Sequence, residues 1–448
     1  MPVPSGELFT GMFVPEQVRE ATSDRAWLQA MLDTEAALAA AEAEAGLIPA
    51  KAAESIAAAC DAGGFDPEAI GREARSVGVP VIPLLRALRE RLDDGAAGFV
   101  HYGATSQDVM DTAAMLVARR ALERIEAELD AVAAACAGLA EQHRGTLMAG
   151  RTLMQQGLPT TFGLKAAVWL DSIIAARQRL DSVSLAVQFG GASGTLASLG
   201  EGSEQVVGLL AKRLDLDEPA IPWHTSRVRV ADLGASLALV AGALEKIGLD
   251  VVLLSQSEIG EVAEPSGGGR GGSSTLPHKR NAIGSVLAIA CARRVRGAAG
   301  VLLAAMPQEL ERAAGAWQSE WEPLREGLAL TGGAAAAVRE ALEGLEVRPK
   351  RMRENLNATG GLLMAESVVG ALGERVGRGR ARELIDAACE RALDGGTSLR
   401  EQLIGDDGVG AKLSEEEIDR ALDPATYLGS AEAFIDRALS RYRGDHGR

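Results

Sequence analysis

The chain has 448 residues, of which 47% are hydrophobic, and its formal net charge at neutral pH is −16. This length exceeds one ordinary core and suggests about three domains, while the apolar content argues against a disordered chain. The acidic balance argues against a sequence-independent nucleic-acid binder, which needs clustered positive charge. It leaves room for a small anionic substrate held by a few local cations.

The cysteines and the apolar runs predict the cellular location of the protein. The four cysteines lie far apart with no C-x-x-C spacing, so we expect buried thiols in a reducing compartment rather than a disulfide or zinc framework. No N-terminal stretch has the order of a signal peptide, and no apolar run is long enough to span a membrane. We therefore expect a cytoplasmic protein with no metal site, no membrane partner and no nucleic-acid partner.

The first hundred residues predict short helices, broken at Gly63–Gly64, Pro80 and Pro83. The stretch HYGATSQDVMDT (101–112) follows, where the first long helix should begin. Thr105, Ser106 and Asp108 are good N-cap types, so helix capping explains part of this motif. A Thr-Ser pair at a helix start can also bind a carboxylate through its hydroxyls and free backbone N–H groups. His101, next to this clamp, is either structural or part of it.

Long helices are predicted for the middle of the chain, which is rich in alanine and leucine and poor in proline. Two series of apolar residues keep an alternating spacing of three and four, typical of helices packed at shallow angles in a bundle. They are Met115, Ala118, Leu122, Ile125, Leu129, Val132, Cys136 and Leu139, and then Leu233, Leu237, Val240, Leu244, Ile247, Val251 and Leu254. Small apolar residues off these seams suggest a bundle shared between subunits.

Domain boundaries are predicted near residues 106 and 347. The sequence thus divides into an N-terminal helical domain (1–106), a central long-helix bundle (107–347) and a C-terminal domain of shorter helices (348–448). β-branched alternation is scarce, so the predicted fold class is all-α.

Two further motifs are polar and glycine-marked. GRTLMQQGLPTTFG (150–163) precedes another long helix, and each of its polar residues also has an ordinary explanation as a loop or helix-end group. GGGRGGSSTLPHKRN (267–281) is neither a Walker A loop nor a dinucleotide fingerprint. It is either a solvated surface loop or an anion site, and its concentration of hydroxyl, cationic and amide groups favours the anion site. The following helix N-terminus should add its own preference for an anion.

These three motifs, in this order across the chain, resemble those of the fumarase/aspartase superfamily, whose signature loop reads G-S-S-x-M-P-x-K-x-N. Further stretches resemble its carboxymuconate cycloisomerase branch: QFGGASGTLASLG (188–200), PWHTSRVRV (222–230) and AMPQELERAAGAWQSEW (305–321). The resemblance implies an all-α fold of three helical domains. It also implies a homotetramer with a twenty-helix core, in which each active site draws one motif from each of three subunits.

The resemblance also implies roles for individual residues. Ser273 would be the base that removes a proton next to a carboxylate, while Lys279 and Asn281 would hold that carboxylate as it becomes an aci-carboxylate dianion. Thr105 and Ser106 would bind a carboxylate, with His101 nearby. The remaining candidates for binding a small polycarboxylate are Arg151, Thr152, Gln155, Ser274 and Arg312. No metal or organic cofactor is implied.

Departures from the superfamily pattern narrow the chemistry. Many of these lyases have histidine after G-R-T and again three residues later, where this chain has Leu153 and Gln156. A basic leaving group must be protonated to depart, whereas a carboxylate or nitrite need not be. Leu276 and Ala282 also replace the usual methionine and proline of the signature loop.

The missing histidines therefore fit two reactions and leave a third possibility open. The first is cyclisation of 3-carboxy-cis,cis-muconate to 4-carboxymuconolactone in protocatechuate catabolism. The second is β-elimination from a substituted succinate such as nitrosuccinate. The third is a non-catalytic structural homologue, against which the joint presence of Ser273, Lys279 and Asn281 argues.

Overall fold

A computed structural model describes residues 7–265, 271–272, 276 and 279–445 of the chain. Gly63–Gly64 and Pro80 lie between α-helices, as predicted, whereas Pro83 lies in the first turn of the helix Val81–Arg89, where proline is tolerated. Short helices come first. They are α1 (Glu7–Phe13), α2 (Glu16–Ala21), α3 (Asp24–Glu44), α4 (Ala50–Ala59), α5 (Pro67–Val77), α6 (Val81–Arg89) and α7 (Asp94–Ala97). Only α3 among them is long, and it begins behind the N-cap Ser23, whose side chain accepts a hydrogen bond from the backbone of Ala26.

Long helices and two small sheets follow. In chain order these are α8 (Ser106–Gln142), β1 (Leu147–Thr152), β2 (Gln155–Thr161), α9 (Phe162–Asp181), α10 (Ser203–Leu214), α11 (Val228–Leu254), β3 (Val262–Ala263), α12 (Ile283–Ala304), α13 (Trp321–Leu342) and β4 (Glu346–Val347). β1 pairs with β2 and β3 with β4, both antiparallel. The second motif therefore forms a hairpin, whereas the sequence indicated only the approach to a helix.

Shorter helices complete the chain: α14 (Pro349–Asn357), α15 (Ala365–Val376), α16 (Arg378–Gly395), α17 (Leu399–Ile404), α18 (Asp407–Gly410), α19 (Glu415–Leu422) and α20 (Ala431–Asp445). α15, α16, α17 and α19 enclose an apolar core of their own. Val368, Leu372, Ile385, Leu403 and Ile418 lie in this core and are almost completely buried.

The periodicity of the two longest helices is confirmed. Every residue of both predicted apolar series, on α8 and on α11, is buried. A spacing of three and four keeps these side chains on one face of a helix, and burying that face is the main source of its stability. The prediction of a predominantly helical protein with long central helices is therefore correct.

The chain forms two compact units. One comprises the chain up to Asp130, Ala175–Glu245 and Leu287–Val338, and the other comprises Ala131–Ile174, Lys246–Val286 and Arg339–Arg448. α8 begins at Ser106 and α14 begins at Pro349, close to the boundaries expected near 106 and 347. The division into three consecutive domains stays a prediction. In the part of the chain that the structure describes, no helix is long and apolar enough to cross a membrane.

Candidate active site

The first motif lies at the N-terminal end of α8. The backbone N–H of Thr105, the residue directly before α8, donates to Asp108 Oδ2 over 3.0 Å. The side chain of the third helical residue thus caps the start of the helix. The hydroxyls of Thr105 and Ser106 donate to no other residue that the structure describes, and both residues are partly exposed. Capping is therefore supplied by Asp108, and both hydroxyls remain available to a ligand.

Asp108 also joins the helix start to two distant segments. Its carboxylate is buried and accepts hydrogen bonds from the backbone N–H groups of Gly190 and Gly191, at 3.0 and 2.9 Å. His224 Nε2 lies 2.6 Å from Asp108 Oδ1. A Cβ at Gly190 would stand 2.7 Å from the His224 ring, so only glycine allows this approach. The sequence marked Asp108 as a capping type and gave no signal for its partner His224.

A second buried charge cluster lies one helical turn further along α8. Arg227 donates to both oxygens of Asp111, at 2.7 and 3.0 Å, and to the carboxylate of Glu320. Burial lowers the pKa of Arg227, but the charges of these two carboxylates outweigh it and raise the pKa above its ordinary value. Trp317 Nε1 donates to Asp111 Oδ1 over 2.9 Å. Arg227 is thus committed to the protein interior rather than to a ligand.

Arg312 joins the residues around the start of α8. Its guanidinium donates to Gln107 Oε1 over 2.9 Å and to the carbonyls of Gly191 and Ala192 at 2.7 and 3.1 Å. Burial lowers the pKa of Arg312, and the nearby charges of Asp108 and Asp111 oppose this. Arg312 therefore holds the loop at Gly191 in place, and its role as a substrate ligand stays a prediction.

The His101 side chain has a single hydrogen-bond partner among the described residues. Its Nδ1 lies 2.6 Å from Oε1 of Glu35, a buried residue of α3. The backbone of His101 is in the left-handed region, with φ 65°. That conformation is costly for a residue with a Cβ, and such residues cluster at functional sites.

The second motif occupies the β1–β2 hairpin. Arg151 forms a two-pronged ion pair with Glu261, with N–O distances of 2.7 and 3.0 Å, and the Glu261 side chain is completely buried. Asn355 donates to the same carboxylate over 2.8 Å. Thr152 pairs with Gln155 at the exposed end of the hairpin. The residues of the motif thus divide into a buried anchor, Arg151, and an exposed tip.

The third motif is described only in part, because Ser273 and Ser274 lie outside the described residues. Lys279 is exposed, and its ammonium group forms no hydrogen bond or ion pair with a residue that the structure describes. The Asn281 side chain donates to the Gly271 carbonyl over 3.2 Å, and the Asn281 backbone N–H donates to the same oxygen over 2.9 Å. Asn281 therefore joins the two ends of the signature loop.

The start of α12, directly after this loop, already holds an anion. Glu264 accepts hydrogen bonds from the backbone N–H groups of Gly284 and Ser285, at 2.9 and 2.8 Å, and from the Ser285 hydroxyl at 2.6 Å. The expected preference of this helix end for an anion is met by a carboxylate of the protein, so these two N–H groups are not free for a substrate. Arg280 donates to the Glu264 carbonyl over 2.9 Å.

The predicted residues fall into two sets. His101, Thr105, Ser106 and Arg312 belong to the first compact unit, where Gln107 and Asp108 link the α8 start to Arg312 and the loop at Gly191. Arg151, Thr152, Gln155, Lys279 and Asn281 belong to the second unit. Among the described residues no cluster of histidine, cysteine or acidic side chains has an arrangement suited to a metal ion.

Comparison with known families matches most of the chain. A family model described as lyase matches residues 14–297, and a model described as adenylosuccinate lyase C-terminus matches residues 361–438. The two matches cover the three motifs and the C-terminal helices.

Individual relatives are similar over nearly their full length. The chain is 48% identical to 3-carboxy-cis,cis-muconate cycloisomerase of Pseudomonas aeruginosa, covering 98% of this chain and 97% of the relative. It is 44% identical to nitrosuccinate lyase of Streptomyces davaonensis, covering 94% of this chain and 92% of the relative. The crystal structure of 3-carboxy-cis,cis-muconate lactonizing enzyme from Pseudomonas putida has a TM-score of 0.93 at 44% identity, covering 98% of this chain and 99% of that one.

Proposed function

The chain belongs to the fumarase/aspartase superfamily, and from this membership we propose that it cyclises 3-carboxy-cis,cis-muconate to 4-carboxymuconolactone in protocatechuate catabolism. The observation that carries the proposal is the 48% identity to a cycloisomerase of that name over 98% of the chain. The proposal includes a cytoplasmic location, which agrees with four cysteines that form no disulfide.

The chemistry needs no oxidant and no added group. A carboxylate oxygen of the substrate attacks one carbon of a double bond, and the π electrons move into the carboxylate on the neighbouring carbon. The resulting aci-carboxylate then takes a proton from the Ser273 hydroxyl at the carbon next to it. Lys279 and Asn281 stabilise the negative charge that develops, and stabilisation of this kind usually contributes most to the rate of such reactions. In the reverse direction Ser273 removes this proton and the ring oxygen leaves as carboxylate.

The other substrate carboxylates need charge-assisted donors of their own. Thr105, Ser106 and His101 supply one group of donors, supported by the free hydroxyls at the start of α8. Arg151, Thr152, Gln155, Ser274 and Arg312 are the remaining candidates. Because the guanidinium groups of Arg151 and Arg312 already bind protein oxygens, their part in the reaction includes fixing the hairpin and the loop at Gly191.

We propose that the protein carries out this function as a homotetramer. Large apolar side chains are exposed along the long helices, and exposed apolar surface of this kind marks an interface. They include Val168 on α9, Leu239 and Leu249 on α11, and Val286 and Val301 on α12. Packing these helices against copies of themselves removes these side chains from water and gives the shared bundle that the superfamily implies.

A second candidate reaction is nitrosuccinate elimination. The specific support is 44% identity to nitrosuccinate lyase over 94% of the chain. Both leaving groups, carboxylate and nitrite, are weak bases that depart without being protonated. Neither reaction therefore needs a histidine at position 153, and the hydrophobic Leu153 at the hairpin tip agrees with both.

Ultraviolet absorbance of 3-carboxy-cis,cis-muconate tests the proposal, because the conjugated diene loses absorbance on lactonisation. We expect rapid loss with the wild type, a decrease in rate of several orders of magnitude with Ser273→Ala, and an unchanged rate with the control Ser257→Ala, an exposed serine outside the motif. No loss with the wild type contradicts the cycloisomerase assignment, and nitrosuccinate is then the next substrate. Equal loss with wild type and Ser273→Ala removes Ser273 from its role.

A further inference from the structure

Glu35, the partner of His101, has no role in the reaction described so far. Glu35 lies on α3 with 1% of its side chain exposed, and His101 precedes α8 with 13% exposed. Their contact, from Nδ1 to Oε1, is 2.6 Å long, which is short for a hydrogen bond between nitrogen and oxygen. Short bonds of this kind are typical of charge-assisted pairs.

The contact with Glu35 bears on the position of a proton on the His101 ring. An ionised carboxylate only accepts hydrogen bonds, so opposite an ionised Glu35 the proton between the two groups lies on Nδ1. The other ring nitrogen, Nε2, has no partner among the described residues and is not among their fully buried, unsatisfied polar atoms. It is therefore open to a ligand, within a few residues of the free hydroxyls of Thr105 and Ser106.

Among the acids near this position, Glu35 is the one that pairs with His101. Its second oxygen, Oε2, is buried with no partner among the described residues. The neighbouring acid on the same helix, Glu42, is also buried, and burial followed by the charge of Glu35 raises the pKa of Glu42 to about 9. Asp33, a third acid near this region, pairs with Arg120. Glu42 is thus neutral at pH 7, and Glu35 is the acid of this helix that contacts His101.

We propose that Glu35 is a positioning residue for the reaction: its carboxylate accepts from Nδ1–H and fixes the ring, so that His101 in its doubly protonated form donates Nε2–H to a carboxylate of the substrate. The left-handed backbone of His101 supports this assignment, because such strain persists only where surrounding contacts over-determine the conformation. Carboxylates that orient a histidine in this way are common in enzyme sites. The inference rests on the proposed function, since it gives Glu35 a part in the same site.

Glu35→Gln is the central variant. Glutamine keeps the size of the side chain but can donate to Nδ1 as readily as accept from it, so the proton position on the ring is no longer fixed. We expect kcat/KM to fall on the order of 10- to 100-fold, mainly through KM, because an interaction with bound substrate is weakened. Glu42→Gln is the matched control, since Glu42 lies on the same helix, is equally buried and is already neutral; its kcat/KM should stay at the wild-type value.

A double-mutant cycle separates positioning from a structural effect. If Glu35 acts through His101, then Glu35→Gln combined with His101→Gln is no slower than His101→Gln alone. Additive losses, or an equal loss in Glu42→Gln, overturn the proposal. Thermal unfolding of each variant shows that the compared proteins are folded.

A spectroscopic measurement on the wild type needs no substitution at Glu35 and no turnover. Only five histidines are present, so the ring signals of 15N-histidine-labelled protein are few, and His101→Gln assigns the signal of His101. We expect a protonated Nδ1 on His101. A neutral ring with its proton on Nε2 overturns the proposal. Because this signal is independent of the substrate, an inactive wild type would contradict the proposed function and leave the tautomer test intact.

Discussion

At the scale of single residues, Glu42 shows how a buried acid makes stability depend on pH. Both of its carboxylate oxygens are buried without a partner among the described residues, and burial raises its pKa from 4.5 to about 9. Between these two values the unfolded chain has lost a proton that the folded protein keeps. The free energy of unfolding therefore falls as pH rises through this window.

Glu42→Gln removes this titration and should make the protein more stable than the wild type. The advantage should be small near pH 5 and should widen by up to ~1.4 kcal/mol per pH unit toward pH 8. Chemical denaturation at several pH values measures it. Glu54→Gln, at an exposed position of α4, is the control and should give a constant difference. A constant difference for Glu42→Gln as well would show that Glu42 is ionised in the folded protein.

At the scale of secondary structure, the β1–β2 hairpin carries local strain. Thr152 pairs with Gln155, so Leu153 and Met154 form a two-residue turn, and both have positive φ, 51° and 67°. This turn type matches the twist of the strands but favours asparagine and glycine at its two central positions. Here both positions are hydrophobic and exposed, at 97% and 66%.

Met154→Gly should relieve part of this strain and raise the free energy of unfolding by about 1 kcal/mol. The lost side chain contributes little, because it is mostly exposed. Met154→Ala removes the same side chain but keeps the Cβ, and it should give no such gain. Denaturant unfolding of the two variants tests this, and equal stability of both would mean that the turn is not strained.

Helices and polar pairs differ in how far the sequence predicts them. The burial of the seams on α8 and α11 follows from spacing within one helix, and capping by Asp108 follows from its residue type at a helix start. The partners of these polar residues do not follow from any local pattern. Glu261 lies 110 positions from Arg151, and His224 lies 116 positions from Asp108. Such pairs depend on the tertiary fold, so the motifs predict candidate residues for the site but not the contacts that hold them.

At the scale of the whole molecule, the proposed tetramer makes the active site a property of several chains. If one site takes its first and third motifs from different subunits, two inactive variants can complement each other. Thr105→Val damages the first motif, and Lys279→Met damages the third. In a mixed tetramer some sites receive an intact first motif from one variant and an intact third motif from the other.

Refolding the two inactive proteins together at equal amounts should therefore restore activity to roughly a quarter of the wild-type value. By random assembly in a symmetric oligomer, this is the share of sites that combine both intact motifs. The absorbance assay with carboxymuconate measures it, and light scattering confirms the assembly state. Refolding each variant alone is the control and should restore nothing. Tetramers that mix freely but stay inactive would show that each site takes these two motifs from one chain, because only then does every site carry one damaged motif.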